Sequence, residues 1–304
     1  MSRQFDVVGI GLAVYDISMQ VDEYPKLDTK IDASEFWHGG GGPVPNALVA
    51  LARWGIRTAF VGRGGADHWG RALKDAFTSA GVDVSHFELD PTISTPIASI
   101  LVKTSTGERT AVLASHHYSQ PGVLPAGIIE NARIVHLDAR DPNFCLEVAD
   151  CARAAGVEVS LDVGSPRMDA VPVMAKTDHL VVALRFANAV TNESSNREMV
   201  ESLRRRTEGT VVITLGMSGS IGAAPGETIV SCGIFPVETV DTTGAGDLYH
   251  AGYLYGTLQG WPLERRMRFG AASSALATTA LGARGCIPEL DQVEQLVRGL
   301  MVGG

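Results

Sequence analysis

Apolar residues recur along this chain in two rhythms. Short, nearly continuous apolar runs read as strands buried on both faces: F-D-V-V-G-I-G at 5–11, the run at 58–61, R-I-V-H-L-D at 133–138, V-E-V-S-L-D at 157–162, D-H-L-V-V-A-L at 178–184 and T-V-V-I-T-L at 210–215. Longer stretches with helical spacing or Ala/Leu-rich composition lie between and after them. They predict helices following the glycines of 38–55 and at 71–80, 143–155, 195–206, 248–260, 265–280 and 290–300, with a short helix after the loop that follows residue 162. Strand and helix alternate from residue 133 onward, which predicts a mostly parallel sheet with helices on both faces. Residues 14–18 read as further strand, and 17–36 alternate weakly around Pro25. The runs at 97–103 and 110–115 flank T-S-T-G-E-R as a hairpin. These segments predict a small separate sheet. The expected fold is a doubly wound α/β core (1–13, 37–96 and 119–304) with a β-sheet lid (14–36 and 97–118).

Composition changes this picture little. With 304 residues, 45% hydrophobic and 19% charged, the chain can build a large core. A net charge of −9 and no basic cluster argue against nucleic acid as a partner. The Arg204–Arg206 run fits a helix end, where cations are favoured. Cys145, Cys151, Cys232 and Cys286 lack C-x-x-C spacing and are expected as buried free thiols in a reducing cytoplasm. No secretory leader and no membrane span are expected. His116 and His117 are adjacent and would point to opposite sides of a strand, so no joint metal site is expected.

The candidate chemistry concentrates at V-D-T-T-G-A-G-D, residues 240–247. The extended apolar run 234–237 precedes it and a helix follows, so the motif is expected where a strand-like segment turns into a helix. Gly244, Ala245 and Gly246 leave the backbone bare there. Free amides at a helix N-terminus bind anions. Asp247 would place a carboxylate beside that anion, an arrangement suited to phosphoryl transfer to a hydroxyl. The plainer reading is a glycine-rich cap followed by a first-turn acid. Asp16 falls just past a strand end, either as a ligand contact or as a turn residue. Asn46, in the first turn of the helix after His38–Gly42, suits either a polyhydroxylated ligand or a cap. Asp67 is read as shaping a loop and capping the next helix. Asp138, Asp162 and Gly216 fall at strand C-termini on one predicted edge. Gly9 and Gly11 lack the third glycine of a dinucleotide fingerprint.

The full D-T-T-G-A-G-D resembles the C-terminal signature of the ribokinase-like sugar kinases, the PfkB carbohydrate kinase family. G-G-P-V-P-N-A-L, V-G-R-G-G-A-D-H-W-G, L-D-V-G-S-P-R and I-T-L-G-M-S-G resemble its other motifs in the same order. The resemblance implies an ATP-dependent kinase with Asp247 as base and Gly244, Ala245 and Gly246 as anion hole. It implies sugar contacts at Asp16, Gly41, Gly42 and Asn46, and nucleotide contacts at Thr214, Gly216, Gly219, Ala272 and Gly282. Asp241 and Thr243 match positions that hold a monovalent cation, K⁺, in several members, and Mg²⁺ would ride on the ATP phosphates. The family's N-x-x-E motif is replaced here, with Leu184 and Ala187 at the corresponding places.

Y-P-K-L-D, T-P-I-A-S and S-P-R look like ketohexokinase. Lys30, L-D-A-R at Asp138–Arg140 and G-A-R-G-C-I-P are similar to sulfofructose kinases. Lys30 and Arg140 are either surface charges or contacts to an anionic or highly oxygenated ketose. Apolar Ala114 stands where another polar contact would be sought. A ketohexose such as fructose is the expected substrate, with ribose, a nucleoside or a sulfosugar as alternatives, and a homodimer through the lid is implied. The reading from another class is a catalytically silent sugar- or nucleotide-binding regulator.

Overall fold

The computed structural model describes residues 3–115 and 123–299. From the N terminus run β1 (Phe5–Ile10), β2 (Val14–Val21), β3 (Glu35–Gly41), α1 (Pro43–Arg53), β4 (Thr58–Gly65), α2 (His68–Ser79) and β5 (Asp83–Asp90). They are followed by β6 (Ile97–Lys103), β7 (Arg109–Ala114), β8 (Ala132–Leu137), α3 (Pro142–Ala154), β9 (Glu158–Val163), α4 (Val171–Met174) and β10 (His179–Ala183). The remainder is α5 (Leu184–Thr191), α6 (Asn196–Arg204), β11 (Thr210–Thr214), β12 (Ser220–Ala223), β13 (Val230–Cys232), α7 (Ala245–Leu258), α8 (Leu263–Ala277) and α9 (Leu290–Val297).

Among the described residues the large sheet has nine strands in the order β13-β12-β11-β10-β9-β8-β1-β4-β5. All neighbours from β11 to β5 pair in parallel, while β12 and β13 add antiparallel at one edge. Its strands feed two cores. Val8, Val135, Leu180 and Val182 pack on one face; Val7, Ile134, Val181 and Val212 pack on the other with α1, α7 and α8. That alternation explains the continuous apolar runs, because both pleat faces are covered. Chain order reverses between β1 and β8, so their C-terminal ends open the crevice where such sheets bind ligands.

The second sheet, β3-β2-β6-β7, stands over that crevice. Residues 37–41, assigned above to the core, belong to β3 in this small sheet. Leu12, Val14, Ala98, Ile100 and Val102 form a third cluster beneath it.

Several local expectations are corrected. Residues 234–237 form no strand; β13 ends at Cys232, and Pro236 has no N–H to extend a ladder. Strands β5, β12 and β13 and helix α5 were not anticipated. Each is short or polar enough to hide its period. Helix α2 starts at His68 rather than residue 71, capped as expected by Asp67, whose Oδ1 accepts from Gly70 N at 2.8 Å. Of the four free cysteines only Cys145 is buried; Cys151 is exposed. His116 and His117, and the last residues of the expected lid and final helix, lie outside the described residues. No helix among the described residues is long and apolar enough to cross a membrane.

Candidate active site

A cavity of about 880 Å³ opens between the small sheet and the C-terminal ends of the central strands. Asp247 lines it from the first turn of α7. Gly244 caps that helix at φ 81°, a left-handed conformation that glycine adopts without strain. Ala245 N bonds back to Thr242 O at 3.3 Å and Leu248 N to Gly244 O at 2.9 Å, so the amides of residues 246 and 247 between them are left to outside partners. A side chain at Gly246 would meet open space, so this backbone can be approached directly. The local sequence thus leaves free helix-start amides beside a carboxylate, an arrangement suited to an anion.

Two side chains remote in sequence orient that carboxylate. Asn46 Nδ2 donates to Asp247 Oδ2 at 2.7 Å, and Arg284 Nε donates to Asn46 Oδ1 at 2.7 Å. The arginine therefore fixes which way the Asn46 amide points. Its Nη2 is buried without a hydrogen bond, and its guanidinium lies 5.2 Å from the centre of the Phe77 ring. Asp16, 5% exposed, lines the same cavity from β2. Burial raises its carboxyl to about 7, against the opposing pull of Arg284. Gly41 faces neither cavity; its lack of a side chain lets the Asp16 carboxylate lie against the backbone.

The opposite wall comes from successive strand ends. Asp138 follows β8, and its oxygens accept from Leu12 N and Arg140 N at 2.7 and 3.0 Å. Asp162, near the end of β9, sits 3.4 Å from His250 Nδ1, and burial raises its carboxyl to about 6. Arg140, Arg167, Arg185 and, from the small sheet, Arg109 also line the cavity. Sequence reasoning overlooked Arg109, Arg185, Arg284 and His250. In β7 the cavity-facing positions are Arg109, Ala111 and Leu113, so Ala114 points away and the apolar residues facing the cavity are Ala111 and Leu113.

An apolar slot of about 370 Å³ adjoins this cavity and shares Thr214, Gly216 and Gly246 with it. Gly219, Phe235 and Ala275 line it too, so the irregular segment 234–237 forms part of its wall. Ala272 does not reach it, because α8 turns Ala271, Ser274 and Ala275 toward the slot and buries Ala272 in the core. Gly282 is elsewhere as well: its N–H donates to Asp241 Oδ2 at 2.8 Å. Asp241 Oδ1 accepts from Thr243 N and Oγ1 at 2.8 and 2.6 Å. This buried carboxylate accepts three hydrogen bonds and opens to neither cavity. It pins the turn at 241–243 to the loop at Gly282. Lys30 is exposed in the β2–β3 connection and lines neither cavity, whereas Gly42 and Arg140 line the larger one.

Residues 4–290 match the pfkB family carbohydrate kinases. The chain is 28% identical to a nucleoside kinase of Methanothermobacter thermautotrophicus, over 95% of this chain and 94% of that one. It is 29% identical to a ribokinase of Haemophilus influenzae, over 95% and 96% respectively. A solved Arabidopsis thaliana ribokinase complexed with ribose and ATP superposes with a TM-score of 0.83 at 25% identity, covering 98% of this chain and 99% of that one. With one family spanning nearly the whole chain and a fold to match, this protein belongs to the pfkB carbohydrate kinases, phosphotransferases acting on a hydroxyl group of a sugar or nucleoside.

Proposed function

We propose that this enzyme transfers the γ-phosphoryl group of ATP to a hydroxyl of a small sugar, a ketohexose such as fructose being the acceptor to test first. The observation that carries the reading is the junction of the two cavities at Gly246, beside Asp247. The apolar slot suits a purine, and the larger cavity suits a polyhydroxylated ring. A nucleotide lying in the slot would bring its terminal phosphate to the free amides of 246 and 247. An acceptor held by Asp16, Gly42 and Asn46 would present its hydroxyl to Asp247.

Asp247 then takes the hydroxyl proton while the α7 N-terminus holds negative charge on the transferred group. In a loose transition state little proton removal precedes bonding to phosphorus, so a carboxylate is basic enough. Among the described residues no group of three or more His, Cys, Asp or Glu is arranged to hold a metal. In this reading Mg²⁺ arrives on the ATP phosphates and neutralises them there. The setting is cytoplasmic. The acceptor's ketose character rests on the Y-P-K-L-D, T-P-I-A-S and S-P-R resemblances. The names of the relatives favour ribose or a nucleoside as the second reading.

Asp247→Asn should lower kcat about 10²- to 10⁴-fold in a coupled ADP assay while binding of ATP and sugar persists. A variant turning over near the wild-type rate would refute the role of Asp247.

A further inference from the structure

One side chain ties the start of α7 to the large sheet and has no part in the transfer outlined above. His250 lies one turn beyond Gly246 on α7, is 3% exposed and borders the larger cavity. Its Nδ1 lies 2.9 Å from Gly246 O, and its Nε2 lies 3.1 Å from Val181 O on β10. Main-chain carbonyl oxygens only accept hydrogen bonds, so each contact calls for an N–H. A neutral imidazole has one N–H and would turn a lone pair on the other oxygen. Both contacts are satisfied only when the ring carries two protons. The counter-charge is in place, because Asp162 Oδ2 on β9 lies 3.4 Å from Nδ1. Burial raises this carboxyl to about 6 and His250 opposes the rise, so Asp162 is ionised at neutral pH.

Other titratable groups face the pair. The His136 ring on β8 is centred 5.4 Å from that of His250, with Nδ1 3.1 Å from Ser160 Oγ and Nε2 buried without a hydrogen bond. Burial first, and then the charge of His250, hold His136 well below its usual range, which leaves it neutral. Asp247 and Asp138 add to the rise in Asp162, and Arg185 of α5 opposes it.

The bond to Gly246 O acts on the free amides directly. That oxygen and the N–H of Asp247 belong to one planar trans peptide group and point in opposite directions. Asp247 N–H is one of the two amides left free at the start of α7. A charged donor on the oxygen polarises the group and makes the N–H a stronger donor on its far side. The bond to Val181 O fixes the same turn against β10.

We propose that His250, protonated on both ring nitrogens and countered by Asp162, is a positioning residue of phosphoryl transfer: it aligns the Gly246–Asp247 peptide and strengthens its amide toward the transferred group. The inference rests on the kinase reading above.

The test uses the full chain. Long-range proton–nitrogen correlation NMR should show both His250 nitrogens protonated at about pH 7.5, with His250→Asn assigning the signal. His250→Asn keeps a donor near Gly246 O and His250→Gln one near Val181 O, and neither carries charge. ADP release with Mg-ATP is measured on whichever of fructose, ribose and adenosine the wild type turns over fastest, below the melting transition of every protein compared. Each variant should lower kcat about 10- to 100-fold, with the KM for that acceptor within about two-fold. Wild-type kcat should fall at the alkaline pH where the NMR signal shows the second ring proton leaving, and both variants should lack that limb. A neutral His250 ring at about pH 7.5, variants within about two-fold of wild-type kcat, or an alkaline limb common to all three proteins would overturn the proposal and leave the kinase reading standing. No Asp247-dependent ADP release from any acceptor would remove both.

Discussion

Asn46 passes the influence of Arg284 on to Asp247, since its oxygen is claimed by the guanidinium and only its NH₂ is left to face the acid. Charge-assisted bonds of this kind contribute roughly 1.5–3 kcal/mol each. Arg284→Met should therefore free the Asn46 amide to flip and lower kcat about 10- to 100-fold, more than it changes the KM for ATP. Arg284→Lys should recover part of that loss, and steady-state kinetics with a thermal melt would separate mispositioning from unfolding. An unaltered kcat would take Arg284 out of the machinery. Asp16 makes a different prediction. Its folded pKa, about 7, lies above the unfolded value, so the folded state binds the extra proton. That contribution to stability is complete below about pH 4 and is lost as pH rises through about 7. Between pH 5 and 7.5 the wild type should lose melting temperature relative to Asp16→Asn. Parallel curves for the two proteins would mean that Asp16 stays ionised throughout. Sequence placed Asp16, Asn46 and Asp247 at one site by motif, but Arg284 was legible only as part of G-A-R-G-C-I-P.

At the scale of elements, α7 carries the free helix-start amides and α8 sets where α7 lies. The two helices approach through glycines: a side chain at Gly252 would come within 2.8 Å of Gly270 Cα, and one at Gly270 within 2.8 Å of Tyr249 O. Gly252→Val should force the helices apart, costing about 1–3 kcal/mol and shifting those amides. Urea unfolding would register the cost, and a raised KM for ATP the shift. A variant as stable and as active as wild type would show that α8 gives way without moving α7. Helices α7 and α8 were readable from their small-residue runs. Ala272, by contrast, was assigned to the nucleotide and proved to be core, because the face an Ala-rich helix presents depends on what packs against it. The run 234–237 failed as a strand for a related reason: it packs as slot wall beyond the last paired residue of β13.

For the whole molecule, the small sheet has two faces with different surroundings. Val14, Asp16, Ala98 and Ile100 look into the cavity, while Phe36 and Val112 are 59% and 70% exposed. The proposed homodimer would cover these apolar side chains with a second copy. Phe36→Asp combined with Val112→Asp should then convert a dimer to a monomer in light scattering, whereas a wild-type monomer at micromolar concentration would dismiss it. The amino-acid order alone determined the α/β alternation, the strand ends that carry the acids, and the bare helix start at 244–247. Those are properties of neighbouring residues, set by pleat, helical period and unsatisfied amides. Tertiary structure decided what crosses the chain. Asp247 meets Asn46 across 201 positions and Asn46 meets Arg284 across 238, and four arginines from four elements converge on one cavity. No local period encodes such meetings, because the direction of a side chain and its partner follow from how strands order in the sheet and which helix face is covered.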